Sequence, residues 1–343
     1  YVSIAAGGDT DPSNDVITVH PGRWVKRTLA ERRNKLTDLS CLAVTRTRGK
    51  GRVQAVQYYS GQWELRVDGH PLLVRGITYQ PTEVGTGPKL GGDYATRWMF
   101  TDKNRNGRID AAYDAWVDAN GNDIQDANEP AVGDFQLMKD MGINAVRIYD
   151  ALKRDRFTYD SSALNKPLLR ELCDSYGIRV IMGDYLGAFT LGSGASPAKG
   201  TDYTDTVQRR RMKEAVRQMV LDLKDEPFIL MWMLGNGNTL RSDYKGVDAP
   251  RTNASIHPQA YAEFVNEVAA MIHEIDPNHP VSVGNQDIQC LAEYSRCAPE
   301  VDILGVIADR GEGGFGDLFL VVRSCFDLPV LVLYGSDCYF DGQ

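Results

Sequence analysis

A (β/α) barrel is the architecture expected of this chain, on three observations. Short apolar runs suited to buried parallel strands recur through residues 73–333. Stretches between them place apolar residues at i, i+3 and i+4, as an amphipathic helix requires. The length, 343 residues with 43% hydrophobic and 24% charged, suits one barrel of ordinary size with a small appendage.

The strand-like runs are 73–79, 145–149, 179–182, 228–234, 281–284, 303–307 and 330–333. Met212, Ala215, Val216, Met219, Val220 and Leu223 mark one intervening helix, and Tyr261, Phe264, Val265, Val268, Ile272 and Ile275 another. Strands alternating with such helices imply a parallel sheet with right-handed crossovers, a TIM-type (β/α) barrel. Seven strands are countable where a closed barrel has eight. The eighth comes either from the N-terminal segment or from polypeptide beyond Gln343, and the second is favoured.

Residues 1–62 form an N-terminal segment, and the barrel is assigned to 63–343. Val16 to Val19 suits a short strand, and residues 24–39 suit a basic helix. Residues 53–75 alternate as strands do, with Asp68-Gly69 as the hairpin turn between 65–67 and 72–74, giving a small strand-rich cap.

The net charge of −8 argues against a nucleic-acid or anionic-membrane surface for the whole molecule. It is unevenly spread, with ten basic and five acidic residues in 1–60. No run approaches the ~20 apolar residues of a membrane helix. The six cysteines lack zinc spacing; Cys290 and Cys297 are close enough in sequence to pair, and buried free thiols are the alternative.

Between the first two strands, residues 102–129 carry oxygen-bearing side chains at alternate positions, the pattern a hard cation needs in a tight loop. Asp118, Asn120, Asn122, Asp126 and Glu129 fall at positions 1, 3, 5, 9 and 12 of a twelve-residue loop. Asp102, Asn104, Asn106 and Asp110 begin a second, with Gly107 at its sharp turn and Asp114 standing in at its end. Structural calcium is the expected cofactor, and it suggests an extracellular or periplasmic setting.

Residues 69–81 (GHPLLVRGITYQP), 138–150 (MKDMGINAVRIYD), 173–187 (CDSYGIRVIMGDYLG), 225–238 (DEPFILMWMLGNGN) and 329–339 (PVLVLYGSDCY) together resemble the clan of retaining glycoside hydrolases with (β/α)8 barrels, nearest its β-galactosidase/β-glucuronidase-like branch. The resemblance covers roughly 63–341. It implies a carbohydrate partner and two glutamates, acid/base and nucleophile, about 5–5.5 Å apart. The matching positions here are Gly237 and Leu333, and neither ionises. Arg147 matches an Arg near the nucleophile, and Asn236 matches the Asn that contacts a sugar hydroxyl. Asp184 and Tyr334 complete the expected binding frame, with Asp184 or Asp150 also a candidate ion-pair partner for Arg147.

Asp309 follows an apolar strand directly and is the candidate base if another carboxylate has taken over, with a salt bridge to Arg310 as its structural reading. The sequence therefore supports three readings. One is a carbohydrate-associated barrel inactive as a retaining glycosidase. Another is a barrel re-engineered for proton abstraction. The third is an active glycosidase, should positions 237 and 333 be misread glutamates. No histidine falls at the end of an expected barrel strand, and Gly311-Glu312-Gly313-Gly314 lacks the Lys-Ser/Thr ending of a phosphate loop.

Overall fold

The computed structural model describes residues 17–20, 23–26, 43–79, 119–120, 122, 126–128, 133–153, 155–241, 249–308 and 318–335. The chain divides into two compact units, residues 1–47 with 56–63 and residues 48–55 with 64–343. In the first, β1 (Ile17–His20) and β2 (Arg23–Lys26) pair antiparallel with His20 opposite Arg23. Residues 24–26 are thus strand and not the start of a basic helix. The two-residue Pro21-Gly22 turn signal, flanked by Val19 and Val25, outweighs the helical spacing of the basic residues; 27–39 lie outside the described residues.

Strands β3 (Val44–Arg48), β4 (Val53–Tyr58), β5 (Trp63–Val67) and β6 (His70–Leu72) follow one another in a four-stranded sheet. The β5–β6 hairpin turns at Asp68-Gly69 as expected. Both residues have positive φ (50° and 81°), the backbone of the mirror-image turn that matches strand twist.

The seven expected barrel strands are all present: β7 (Gly76–Thr78), β8 (Ala145–Ile148), β9 (Arg179–Asp184), β10 (Ile229–Leu234), β11 (Val281–Gln286), β12 (Ile303–Ala308) and β13 (Val330–Gly335). They form one sheet in sequence order, and every neighbouring pair is parallel. Among the described residues no N-terminal strand joins this sheet. β1 and β2 pair with each other, and β3–β6 form a sheet of their own.

Helices α1 (Asp134–Asp140), α2 (Lys166–Tyr176), α3 (Thr206–Leu223), α4 (Pro258–Ile275), α5 (Leu291–Cys297) and α6 (Leu318–Phe326) fall between or before the strands. Local chemistry sets their ends. Asn165 accepts the Leu168 N–H at the start of α2, and Gly177, at φ 71°, ends it in the left-handed conformation that glycine adopts most easily. Asp205 accepts the Val207 and Gln208 N–H groups at the start of α3. The apolar stripe read from sequence on α3, Met212 to Leu223, is the face that is buried.

Two apolar layers hold this unit together. Outward-facing strand residues such as Trp232 and Leu234 pack with the helices. Trp232 is fully buried, and its Nε1–H donates to Asp276 at 2.8 Å, which fixes it as core and not as a sugar platform. Inward-facing residues Ile181, Met231, Met233 and Ile303 fill the sheet's concave side, joined by Leu331 and Leu333 and, from the preceding segment, Val53 and Val67. Each fully buried side chain of this size stabilises by roughly 1.5–3 kcal/mol.

The described cysteines Cys173, Cys290, Cys297 and Cys325 are free thiols. Cys290 caps α5 and Cys297 ends it. Seven residues of helix separate them by about 10 Å, beyond the reach of a disulfide. No described helix is long and apolar enough to cross a membrane.

Candidate functional site

The C-terminal ends of β8, β9, β10 and β11 bring together Arg147, Tyr149, Asp150, Asp184, Tyr185, Asn236, Gly237 and Gln286. The chain turns sharply after Leu234. Gly235, at φ 78°, donates its N–H to the Asp184 carbonyl at 2.8 Å, and Gly237, at φ 67°, donates to the Gly284 carbonyl at 2.9 Å. Two positive-φ glycines thus flank Asn236 and tie it to the strands on either side.

Asn238, fully buried, holds this turn from below. Its Oδ1 accepts the Asn236 N–H at 2.6 Å, while its Nδ2 donates to the Tyr185 and Leu186 carbonyls at 3.0 Å each and to the Tyr203 hydroxyl at 2.7 Å. Thr239 donates to Asn285 at 2.8 Å and extends the network to β11. A satisfied polar network of this kind rigidifies what it supports.

Arg147 lies across the turn. Its Nη2 donates to the Gly235 carbonyl at 3.3 Å and to Asn236 Oδ1 at 3.1 Å, and its guanidinium sits 4.5 Å from the centre of the Tyr149 ring. Tyr149 stacks on Tyr185 at 5.4 Å, and Phe189 meets Tyr185 edge-on. With Oδ1 engaged by Arg147, the Asn236 amide Nδ2 is left without a partner among the described residues, as is the Gln286 side-chain amide.

The expected ion pair between Arg147 and Asp150 or Asp184 is not formed. Each carboxylate is turned into its own loop, Asp150 accepting from the Leu152 N–H at 3.1 Å and Asp184 from the Leu186 N–H at 2.7 Å. Burial pushes the Asp184 carboxyl up to about 7, and the neighbouring Asp150 adds to that rise. Burial likewise raises Asp150, against the Leu152 hydrogen bond and the Arg156 charge, and lowers Arg147.

Neither position that the resemblance assigns to a glutamate carries a carboxyl. A Cβ at Gly237 would lie 3.1 Å from Gln286 Oε1 and 3.4 Å from Ile307 Cδ1. Leu333 is taken up by packing inside the sheet. Its methyls lie 3.1–3.3 Å from where side chains would begin at Gly284 and Gly305, and the β12–β13 register shifts between Val306 and Ile307 beside it. The side chain of Tyr334, Asp309 and the suggested Asp309–Arg310 bridge lie outside the described residues.

Of the calcium loops, Asn120, Asn122 and Asp126 are described, while Asp102, Asn104, Asn106, Asp110, Asp114, Asp118 and Glu129 are not. Both amides converge on one Asp126 oxygen, Asn120 Nδ2 at 2.6 Å and Asn122 Nδ2 at 3.2 Å. The Asn122 N–H donates to Asn120 Oδ1 at 3.1 Å. Among the described residues no three His, Cys, Asp or Glu side chains form a metal cluster.

Residues 118–310 match the family described as glycosyl hydrolases family 2, TIM barrel domain, and the chain belongs to that family. No curated protein matches it in sequence. Among solved structures it is similar to the exo-β-1,4-mannosidase Op5Man5 from Opitutaceae bacterium strain TAV5 (18% identity over 59% of this chain and 40% of that one, TM-score 0.46). It is similar also to the β-mannanase of the blue mussel Mytilus edulis (15%, 84% and 82%, 0.46) and to a β-D-glucuronidase of Dictyoglomus thermophilum (14%, 84% and 38%, 0.44). The chain thus spans well under half the length of the first and third.

The two glycines of the turn differ in what an added methyl meets. At Gly235 it would lie 2.7 Å from the Tyr261 hydroxyl and 2.8 Å from Asn238 Oδ1; at Gly237 the nearest atom is 3.1 Å away. Both substitutions meet left-handed strain of about 1–2 kcal/mol, and Gly235→Ala adds an overpacking cost of about 1–3 kcal/mol. Urea unfolding is expected to show Gly235→Ala as clearly the more destabilising; equal losses would contradict the arrangement of the turn.

Proposed function

We propose that this barrel binds carbohydrate at the ends of β8–β11 and does not hydrolyse glycosides by the two-carboxylate retaining route. The observation that carries the reading is the state of positions 237 and 333. Retention needs one carboxyl to protonate the leaving oxygen and another to attack the anomeric carbon. Gly237 has no side chain and a positive φ, and Leu333 is engaged in apolar packing.

The binding frame is supported by different groups. Arg147 fixes the Asn236 side chain by holding its Oδ1, which presents the Nδ2 donor toward a sugar hydroxyl. Gln286 sets a second amide above Gly237, where the resemblance places the acid/base. The Asn238 network keeps these groups in place before a ligand arrives, which lowers the ordering cost of binding. Release of nitrophenol from a panel of nitrophenyl glycosides is expected to stay at the uncatalysed rate, while calorimetric titration with oligosaccharides shows binding. Turnover abolished by a single Asp or Glu substitution would overturn the reading.

Structural calcium in the 102–129 insertion is part of the same proposal, and with it an extracellular or periplasmic setting. The alternate spacing of oxygen-bearing residues supports it, as does the convergence of Asn120, Asn122 and Asp126. An amide offers its oxygen instead of its nitrogen by a half-turn about its terminal torsion, so the same three side chains suit a hard cation. The ion would cross-link the long insertion. Saturating calcium at about 100-fold over Kd is expected to add about 2.7 kcal/mol relative to excess chelator, and Asp126→Ala to reduce that gain. An unfolding midpoint indifferent to calcium and chelator would contradict it.

A further inference from the structure

At the end of the sheet opposite the rim, a histidine is held between two carboxylates. His273 lies in the last turn of α4. Its Nδ1 is 3.1 Å from Glu300 Oε2 and its Nε2 is 2.9 Å from Asp302 Oδ2, both in the segment that leads into β12. A neutral imidazole has one N–H and one lone pair, so it satisfies one of these carboxylates and turns a lone pair on the other. The imidazolium donates to both. A helix C-terminus favours a cation as well. The geometry is that of a protonated His273.

We propose that His273 is a proton-operated tie, which fastens α4 to the start of β12 while protonated and slackens as the solution turns alkaline. Asp302 is its inner anchor, with a side chain only 5% exposed, and the same Oδ2 accepts the Val281 N–H of β11 at 2.9 Å. Glu300 is the outer one, 46% exposed, with its N–H donated to Asn266 Oδ1 of α4 at 3.0 Å. When one proton leaves, the other stays on Nε2 for the buried Asp302. Nδ1 then turns its lone pair on Glu300, which swings into water. Arg48 braces the same segment in either state. It lies 3.9 Å from Asp302 Oδ1 and donates to the Pro299 and Val301 carbonyls at 3.0 and 3.1 Å. The neighbouring charges of α4 and α5 are engaged elsewhere: Glu267 by Arg209 and Lys213, Asp276 by Trp232 and His279, and Glu263 and Arg296 by Gln259. Glu274 is exposed. Burial disfavours the charge on His273, but the hydrogen bonds and charges of Asp302 and Glu300 outweigh it and raise the ring above the ordinary histidine value. A group raised in this way stabilises the fold fully below its unfolded value, about 6.5, and loses that contribution as pH climbs past the folded one.

The test is urea unfolding of the full chain on either side of the transition, at about pH 5.5 and about pH 9, together with an NMR titration of the His273 ring. His273→Gln is expected to lower the urea midpoint on the acid side and to lower it less on the alkaline side. Asp184 and the other titrating groups act alike in both proteins, so the difference between them isolates His273. Glu300→Gln changes only the exposed partner and serves even where the His273 variant does not fold. It is expected to cost about threefold in the folding constant on the acid side, the effect of a partly exposed ion pair, and nothing on the alkaline side. In the wild type the ring is expected to titrate above about 6.5 and to keep its last proton on Nε2, and Glu300→Gln to lower that midpoint. A loss on Glu300→Gln or His273→Gln that is equal at both pH values would overturn the inference, as would a ring that titrates at or below the ordinary histidine value.

Discussion

The buried amide of Asn238 is the contact on which the rest of the rim depends. One side chain bonds the main chain of Asn236 on its own strand end, two carbonyls after β9, and the Tyr203 hydroxyl. Because Gly235 and Gly237 both take backbone conformations that other residues adopt at a cost, the turn between them would open without that support. Held, it presents the Asn236 carbonyl-side oxygen to Arg147 and leaves the amide donor outward. The placing of Asn236, and with it the Arg147 hydrogen bond, follows from this one clamp.

Below the rim the strands serve a different purpose. Met231, Met233, Leu331 and Leu333 fill the concave face of the sheet, and a Cβ at Gly284 or Gly305 would meet first the carbonyl of Gly235 or Val283, at 2.6 and 2.9 Å, and then Leu333. A residue whose counterpart in the resemblance is a reacting carboxylate has become packing. The apolar substitution and the two glycines opposite it are consistent with one another, as features of a single packed core are expected to be.

The parts of the fold governed by periodicity were legible in the sequence. All seven strands, the buried stripe of α3 and the Asp68-Gly69 turn follow from apolar spacing and turn chemistry. The β1–β2 hairpin was obscured by basic residues at helical spacing, and Pro21-Gly22 was the signal that pointed to it. At the site, Arg147 and Asn236 were identified by resemblance, but their mutual hydrogen bond was not legible, because it joins residues 89 apart. Tyr149 and Tyr185 each stand just past a strand end and were findable on that ground; Asn238 looked like one more turn residue. That Asp184 turns into its own loop depends on the Leu186 backbone, which no side-chain pattern encodes.

We propose that the scaffold of a retaining glycosidase here holds sugar without a nucleophile. Intact-mass measurement after incubation with a panel of 2-deoxy-2-fluoroglycosyl fluorides tests it most directly, since these reagents leave a slowly released glycosyl ester on the attacking carboxylate. The protein mass is expected to stay unchanged with every member of the panel. A stoichiometric adduct mapped to an Asp or Glu at the rim would contradict it.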